Sequence, residues 1–104
     1  MAKDKRRPRE VSVTKQFRKD LERARSHKKC DLVELRDVMA RIENREALDA
    51  AQGDHMLRGK YPEGKQGKTD CRECHASNDW LLIYRLPDDD SVTFIRTGTH
   101  SDLF

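Results

Sequence analysis

The sequence lacks the long apolar runs that mark membrane and secreted proteins. Its 104 residues are 39% charged and 35% hydrophobic, and no run of 18 apolar residues occurs, which excludes a transmembrane helix. The basic start, MAKDKRRPRE, is not followed by an apolar stretch, so we expect no signal peptide and a cytoplasmic protein. The length allows one compact domain.

Cysteine is scarce and odd in number, with thiols at Cys30, Cys71 and Cys74, so we expect no disulfide framework. Residues 71–75 match C-x-x-C-H, the attachment signature of c-type haem. However, we expect no export signal in this chain, and these residues run directly into a predicted strand pair. A zinc site would need Cys30 or a distant histidine as its fourth ligand. We interpret Cys74 as a small buried residue and Cys71 as a free thiol, and we predict no metal and no cofactor.

The net charge of +3 conceals an uneven distribution. Residues 1–30 carry twelve Lys and Arg against four Asp and Glu, a local charge of +8. A basic first third is typical of a surface that faces phosphates. A solvated helix face that follows a basic tail explains the charge equally well, so charge alone leaves both interpretations open.

The first half of the chain predicts a short strand and two helices. We interpret residues 1–9 as a flexible basic tail and residues 10–14, which alternate, as an edge strand. Thr14 is a candidate N-cap for a helix that reaches about residue 28, with an apolar stripe at helical spacing. Asp31 is the candidate N-cap of a second helix that ends near Asn44.

The second half predicts a loop and three strands. Residues 53–70 contain glycines, a proline and several lysines, which predicts a mobile loop. Strands are expected at residues 72–76, 80–86 and 91–97, the middle one covered on both faces because it is nearly continuously apolar. The order β-α-α-β-β-β indicates an α+β fold in which two N-terminal helices pack on a small antiparallel sheet, within one domain over residues 10–104.

The histidines are the candidates for chemistry. Imidazole exchanges protons near neutral pH, and arginine offers a planar fork to a phosphate. We interpret His27 as an incidental surface residue. The spacing does not decide whether the remaining group converges at one end of the sheet or is scattered. That group consists of His55, His75, His100, Asp79, Arg85 and Arg96.

Four motifs, in this order, resemble the YafQ branch of the RelE/ParE superfamily, the mRNA interferases of bacterial type II toxin–antitoxin systems. They are DHMLRG at 54–59, RECH at 72–75, DWLLIYRL at 79–86 and RTGTHSDLF at 96–104, and TKQFRKDLERA at 14–24 is similar to the first helix of that family. The ordered combination is far more specific than any single motif. The resemblance implies a RelE/ParE-like fold.

The resemblance also implies a reaction, the attack of a ribose 2′-hydroxyl on the adjacent phosphate with loss of the 5′-oxygen. His100 is then expected as the general acid, and Arg96 as the group that stabilises the phosphorane charge. His55, His75 and Asp79 are the candidates for the base and for holding the phosphate. Trp80 is expected in the core. RNA contacts are expected from Phe104, Glu73, Lys15, Arg18 and Lys19.

The implied partners are mRNA, the A site of the 70S ribosome and a cognate antitoxin, a small DNA-binding protein whose complex with the toxin binds operator DNA. No membrane is involved. Two alternatives stay open: a gyrase-inhibiting toxin of the ParE branch, against which the histidine and arginine of RTGTH argue, and a catalytically inactive module that binds an antitoxin. The segment of residues 61–71 is longer and richer in lysine than the corresponding segment of the family, and we predict no role for it.

Overall fold

The computed structural model describes residues 6–57 and 71–104. Within these ranges the chain forms three α-helices and a five-stranded sheet, so the prediction of an α+β fold is confirmed. In chain order the elements are β1 (Glu10–Val13), α1 (Lys15–Ala24), α2 (Leu32–Glu43), β2 (His55–Met56), β3 (Cys71–Ser77), β4 (Trp80–Arg85), β5 (Ser91–Gly98) and α3 (His100–Leu103). No helix in the described ranges has the length and hydropathy needed to cross a membrane.

The sheet is mixed, and the prediction of an antiparallel sheet is therefore wrong for one strand. The strand order is β1-β5-β4-β3-β2. β1 pairs with β5 in parallel, and the other three pairs are antiparallel. Both helices and three strands separate β1 from β5 in the chain, so no hairpin turn sets the direction of β1. Its position at the edge was predicted correctly.

The N-cap residues predicted for both N-terminal helices are confirmed. The Thr14 hydroxyl accepts a hydrogen bond from the Phe17 N–H at 2.9 Å, and the Asp31 carboxylate accepts from Val33 and Glu34. These contacts satisfy helix N–H groups that have no carbonyl partner. α1 is shorter than predicted and ends at Ala24, because the chain turns there through hydrogen bonds from Ser26 and His27 back to α1.

The sheet has a buried cluster on each face. On one face, which we call the helix face, Phe17, Leu35, Trp80 and Phe94 belong to a core formed with α1 and α2. On the opposite face, the outer face, a smaller cluster contains Cys71, Leu81, Ile83, Ile95 and Leu103. Residues 80–84 of β4 are all buried, which confirms a central strand covered on both sides and the core position of Trp80.

Two short elements were not predicted. β2 has two residues, and it pairs His55 with Glu73 inside the segment that we interpreted as a loop. α3 has four residues after β5, and its Leu103 is buried. Both elements are too short for an apolar period to show in the sequence. The remainder of the predicted loop, residues 58–70, lies outside the described residues.

The end of the basic N-terminal segment contacts the domain. The Arg9 N–H donates to the Glu43 carbonyl at 2.8 Å, and Arg45 Nε donates to the Arg7 carbonyl at 2.9 Å. Arg45 follows α2 with a φ of 61°, and its guanidinium also donates to Asp90. Residues 7–9 are thereby attached to the end of α2, while residues 1–5 lie outside the described ranges.

Candidate active site

The strand register places three of the candidate residues in one row across the sheet. His55 pairs with Glu73, Glu73 with Ile83, and Ile83 with Arg96. Paired residues of antiparallel strands direct their side chains to the same face, and Ile83 belongs to the outer-face cluster. The row spans three strand spacings, roughly 15 Å. His55 Nε2 lies 3.5 Å from Glu73 Oε1, so these two side chains meet.

A second row lies two residues further along each strand. His75 pairs with Leu81, and Leu81 pairs with Gly98. A step of two residues keeps the same face and moves about 7 Å along the strand. The His75 side chain is therefore on the outer face and is exposed to solvent. Arg85 lies at the opposite end of β4, beside Cys71, so the structure does not bring it to this end.

α3 places His100 next to this second row. A Cβ built on Gly98 would lie 3.1 Å from the Asp102 Cβ, so α3 folds tightly against the end of β5. The Thr99 hydroxyl accepts from the Asp102 N–H, and the Asp102 carboxylate accepts from the Thr99 N–H at 3.0 Å. That backbone contact is the main cause of the lowered pKa of Asp102, to which Arg23 adds.

The Phe104 ring packs edge-on against the predicted general acid, His100. The ring centroids of His100 and Phe104 are 4.9 Å apart, with the rings inclined at 67°. Residues four apart lie on the same side of a helical turn. His100 is exposed, and Phe104 retains 58% of its accessible surface. An exposed imidazole and an exposed aromatic ring therefore stand side by side at the edge of the outer face.

Arg96 is held by a residue of α1. Its Nε and Nη2 donate to the two oxygens of Asp20 at 2.8 and 3.0 Å. Asp20 retains 1% of its accessible surface. A bidentate contact of this kind fixes the plane of the guanidinium as well as its distance.

Asp79 is paired with a lysine of the link between α1 and α2. It lies in the turn between β3 and β4, and its carboxylate accepts a hydrogen bond from Lys29 Nζ at 3.0 Å. Lys29 belongs to the link between α1 and α2, where the His27 ring also packs edge-on against Trp80, with centroids 4.9 Å apart. His27 is thus a packing residue, and its interpretation as an incidental surface residue is wrong.

The three basic RNA-binding candidates share one helix. Lys15, Arg18 and Lys19 are all exposed on α1. They lie on the solvent side, opposite the buried stripe that contains Phe17 and Ala24. The structure therefore keeps them as a group on the surface but separates them from His55 and His75, which lie on β2 and β3.

A surface groove adjoins the second row at His75. It has a volume of about 650 Å³ and lies between α2 and β3. Its charged lining includes Glu34, Asp37 and Asp49, with Arg41 bound to both aspartates. His75 lies at its margin. Since a predominantly acidic lining repels phosphate, we locate the candidate site on the outer face and not in this groove.

Comparisons with known proteins identify the family of this chain. The family model described as "Bacterial toxin of type II toxin-antitoxin system, YafQ" matches residues 9–104. The chain belongs to the YafQ family. It is 35% identical to the "mRNA interferase toxin YafQ" of Escherichia coli (strain K12) over 97 residues, which cover 92% of this chain and 96% of that protein.

Solved structures show the same fold in YafQ proteins. The crystal structure of the E. coli DinJ-YafQ toxin-antitoxin complex aligns with a TM-score of 0.75 at 33% identity, covering 93% of this chain and 98% of that chain. A metal-bound toxin from Helicobacter pylori aligns with a TM-score of 0.73 at 30% identity, covering 91% and 98%. The match to YafQ therefore extends over nearly the whole chain.

The YafQ motif DHMLRG contains an anchor that sequence reasoning missed. Tyr84 donates its hydroxyl hydrogen to Asp54 at 2.6 Å, and Arg72 donates to the same carboxylate at 2.9 Å. Burial raises the pKa of Tyr84, and the hydrogen bond to Asp54 raises it further by a smaller amount. Tyr84 belongs to the helix-face core. Asp54 thus ties the start of β2 to β4 while the next residue, His55, lies on the outer face.

Asp20 was missed as well, although the sequence carries a signal for it. It falls three residues after Phe17 and four before Ala24, within the arc of α1 that is buried. A charged residue in a buried arc requires a partner. The partner could not be named from the sequence because Arg96 lies 76 residues away.

The C-x-x-C-H match is split between the two faces of β3. Cys71 belongs to the outer-face cluster and Cys74 to the helix-face core, as a separation of three residues in a strand requires. The two thiols therefore do not face a common ligand. Cys74 is completely buried, which confirms its interpretation as a small buried residue, and this burial raises its pKa to about 12.

Proposed function

We propose that this YafQ-family toxin is an endoribonuclease that cleaves mRNA, and that the outer face of its sheet is the active site. The E. coli relatives are named mRNA interferase toxins. The observation that carries the proposal is the register that aligns His55, Glu73 and Arg96 in one row, with His75 in the next and His100 at its end. The candidate catalytic side chains thus lie on the outer face of the sheet, and the larger core lies on the helix face.

The reaction is a transesterification within the RNA chain. The 2′-oxygen forms a bond to phosphorus, the bond from phosphorus to the 5′-oxygen breaks, and a 2′,3′-cyclic phosphate and a 5′-hydroxyl result. A base accepts the 2′-hydroxyl proton, and an acid supplies the proton that the 5′-oxygen takes up. No step in this scheme requires a metal.

We assign the acid to His100. It is exposed at the first position of α3, and Phe104 beside it can stack on a base next to the broken bond. Arg96 supplies the charge that stabilises the phosphorane. His55, oriented by Glu73, is the base that the geometry favours, and His75 holds the phosphate. Asp79 is a weaker candidate for the base because its carboxylate contacts Lys29.

We propose the A site of the 70S ribosome as the place of cleavage. Lys15, Arg18 and Lys19 form an exposed basic group on α1, and such a group suits ribosomal RNA because released counterions favour binding to phosphates. Residues 10–104 act as one RelE/ParE-like domain, and residues 1–9 extend it with positive charge. The lysine-rich residues 61–71 carry no assignment.

The partner in the cell is an antitoxin. The E. coli YafQ structure is a complex with DinJ, and we propose that this toxin is likewise inhibited by a small DNA-binding protein, with which it binds operator DNA. An acidic or extended segment of that protein suits the basic surface of α1.

Induced expression in bacteria tests the proposal at the level of function class. We expect growth arrest, mRNA cut at defined positions, and rescue by co-expression of the protein encoded next to the toxin gene. DNA supercoiling should stay unchanged, in contrast to gyrase inhibition. Normal growth and intact mRNA in the presence of abundant soluble protein would overturn the proposal.

A further inference from the structure

Asp20 is a buried charge that joins α1 to β5. Five N–H groups point at its carboxylate, and they come from two elements, α1 and β5. The donors are Gln16 Nε2 at 3.0 Å, Arg23 Nη2 at 3.3 Å, Arg96 Nε at 2.8 Å, Arg96 Nη2 at 3.0 Å and the Thr97 N–H at 3.2 Å. Burying an ion pair costs desolvation energy that an apolar residue of similar size avoids. A buried charge of this kind therefore suggests a task beyond stability.

The arrangement fixes Arg96 in three ways. The Nε and Nη2 edge of its guanidinium meets both carboxylate oxygens, which sets its plane. The Thr97 N–H donates to the same Asp20 oxygen as Arg96 Nε, so the carboxylate is tied to the β5 backbone. The register shift in β5 next to Arg96 locally changes the direction of the strand. The Nη1 side of Arg96 is the side directed away from Asp20.

We propose that Asp20 is a positioning residue of the cleavage reaction, which holds the Arg96 guanidinium in the orientation that the reacting phosphate requires. This inference rests on the proposed function, in which Arg96 stabilises the phosphorane. Asp20 itself does not touch the RNA, because it retains only 1% of its accessible surface. Its effect is therefore on the rate of the chemical step and not on the affinity for the ribosome.

A double-mutant cycle tests the proposal. Single-turnover cleavage on saturating programmed ribosomes is measured for Asp20→Asn, Arg96→Ala and the double variant, with circular dichroism as the folding control. Because a misplacement of about 1 Å can cost about 100-fold in rate, we expect Asp20→Asn to slow cleavage by roughly 10- to 100-fold. Ribosome affinity should stay within about twofold, since the outer surface is unchanged.

The cycle separates positioning from stability. In the Arg96→Ala background, Asp20→Asn should slow cleavage by less than about twofold more, because residues that act as a unit are not additive. Gln16→Ala is the matched control: it removes a neutral donor to the same carboxylate and should leave the rate within about twofold. A folded Asp20→Asn protein that cleaves at the parent rate, or additive losses in the cycle, would overturn the inference.

Two further outcomes keep the inference separate from the proposed function. If Arg96→Ala cleaves at the parent rate, the assigned role of Arg96 fails and the inference fails with it. If Arg96→Ala is slow and folded Asp20→Asn is not, only the inference fails.

NMR of the unsubstituted protein covers the case in which Asp20→Asn does not fold. The Arg96 Nε–H should exchange with water at least about tenfold more slowly than that of the exposed Arg36, because Arg96 is clamped by Asp20. Equal exchange rates would show that no clamp exists.

Discussion

The two faces of the sheet use the same strands for different purposes. On the helix face, α1 and α2 cover large apolar side chains, among them Phe17, Trp80 and Phe94, which are almost fully buried. On the outer face, the apolar cluster is smaller, and His55 and His75 are exposed beside it. Because side chains alternate along a strand, one strand can supply a core residue and a reactive one in adjacent positions. RECH in β3 does this with Cys74 and His75.

The two faces also differ in the contacts that hold their side chains in place. The helix face is stabilised by packing. The outer-face residues instead depend on polar anchors that cross the sheet: Asp20 holds Arg96, and Asp54 holds the start of β2. α3 is kept in place by the reciprocal hydrogen bonds of Thr99 and Asp102. Substitutions on the outer face should therefore change cleavage, whereas matched substitutions on the helix side should change mainly stability.

The largest effect is expected for His100 at the outer face, and His27 on the helix side serves as its matched control. His100→Ala should lower single-turnover cleavage on programmed ribosomes by roughly 10²- to 10⁴-fold, because the 5′-oxygen loses its proton donor. His100 is exposed, so the protein should still fold. His27→Ala removes an imidazole that packs on Trp80 and should leave cleavage by the folded protein within about threefold. A parent rate for folded His100→Ala would exclude this residue from the mechanism.

Arg96 should show the next largest effect. Arg96→Ala removes charge stabilisation and should slow the chemical step by about 10²- to 10³-fold. Arg96→Lys restores the charge but not the fork and should recover only part of the loss. The rates are measured in the same assay, with circular dichroism as control. Full recovery by lysine would show that a point charge suffices and that the bidentate geometry is unimportant.

The α1 surface should affect binding and not chemistry. Reversing Lys15, Arg18 and Lys19 to Glu should weaken ribosome binding by at least about tenfold at moderate salt and make the salt dependence less steep. All three are exposed, so the fold should persist. Sedimentation with ribosomes between about 50 and 200 mM salt measures the effect. Binding that responds neither to salt nor to the reversals would identify this surface as a solvated face only.

The smallest effect concerns the anchor of α3. Asp102→Ala removes the hydrogen bond that the Asp102 carboxylate accepts from the Thr99 N–H and should cost about 1 kcal/mol of stability. The lowered pKa of Asp102 has a definite sign: its stabilisation is complete above the unfolded-state pKa and is lost as the pH falls through the lower folded-state pKa. Denaturation between about pH 2 and 6 should therefore show less acid sensitivity in Asp102→Ala. Identical pH profiles for the two proteins would refute this role.

The sequence predicted what is local or periodic. Thr14 and Asp31 were found because a capping side chain lies within three residues of its partner, and β4 because five successive buried residues stand out. The parallel pairing of β1 with β5 and the pair of Asp20 with Arg96 were missed, because each joins residues more than 70 positions apart. The candidate histidines came from the chemistry of imidazole, and their expected roles came from the family resemblance. The common face of His55 and His75 follows from the register, which one sequence does not reveal.

The most direct test of the account is the dependence of cleavage on a single 2′-hydroxyl. A programmed ribosome carries an mRNA with one 2′-deoxynucleotide on the 5′ side of the scissile phosphate, and single-turnover cleavage is compared with that of the all-ribose mRNA. Because that hydroxyl is the attacking group, we expect no cleavage at the substituted position, and a 2′,3′-cyclic phosphate as the end formed in the all-ribose control. Cleavage of the substituted mRNA at the parent rate would contradict the mechanism assigned to the outer face.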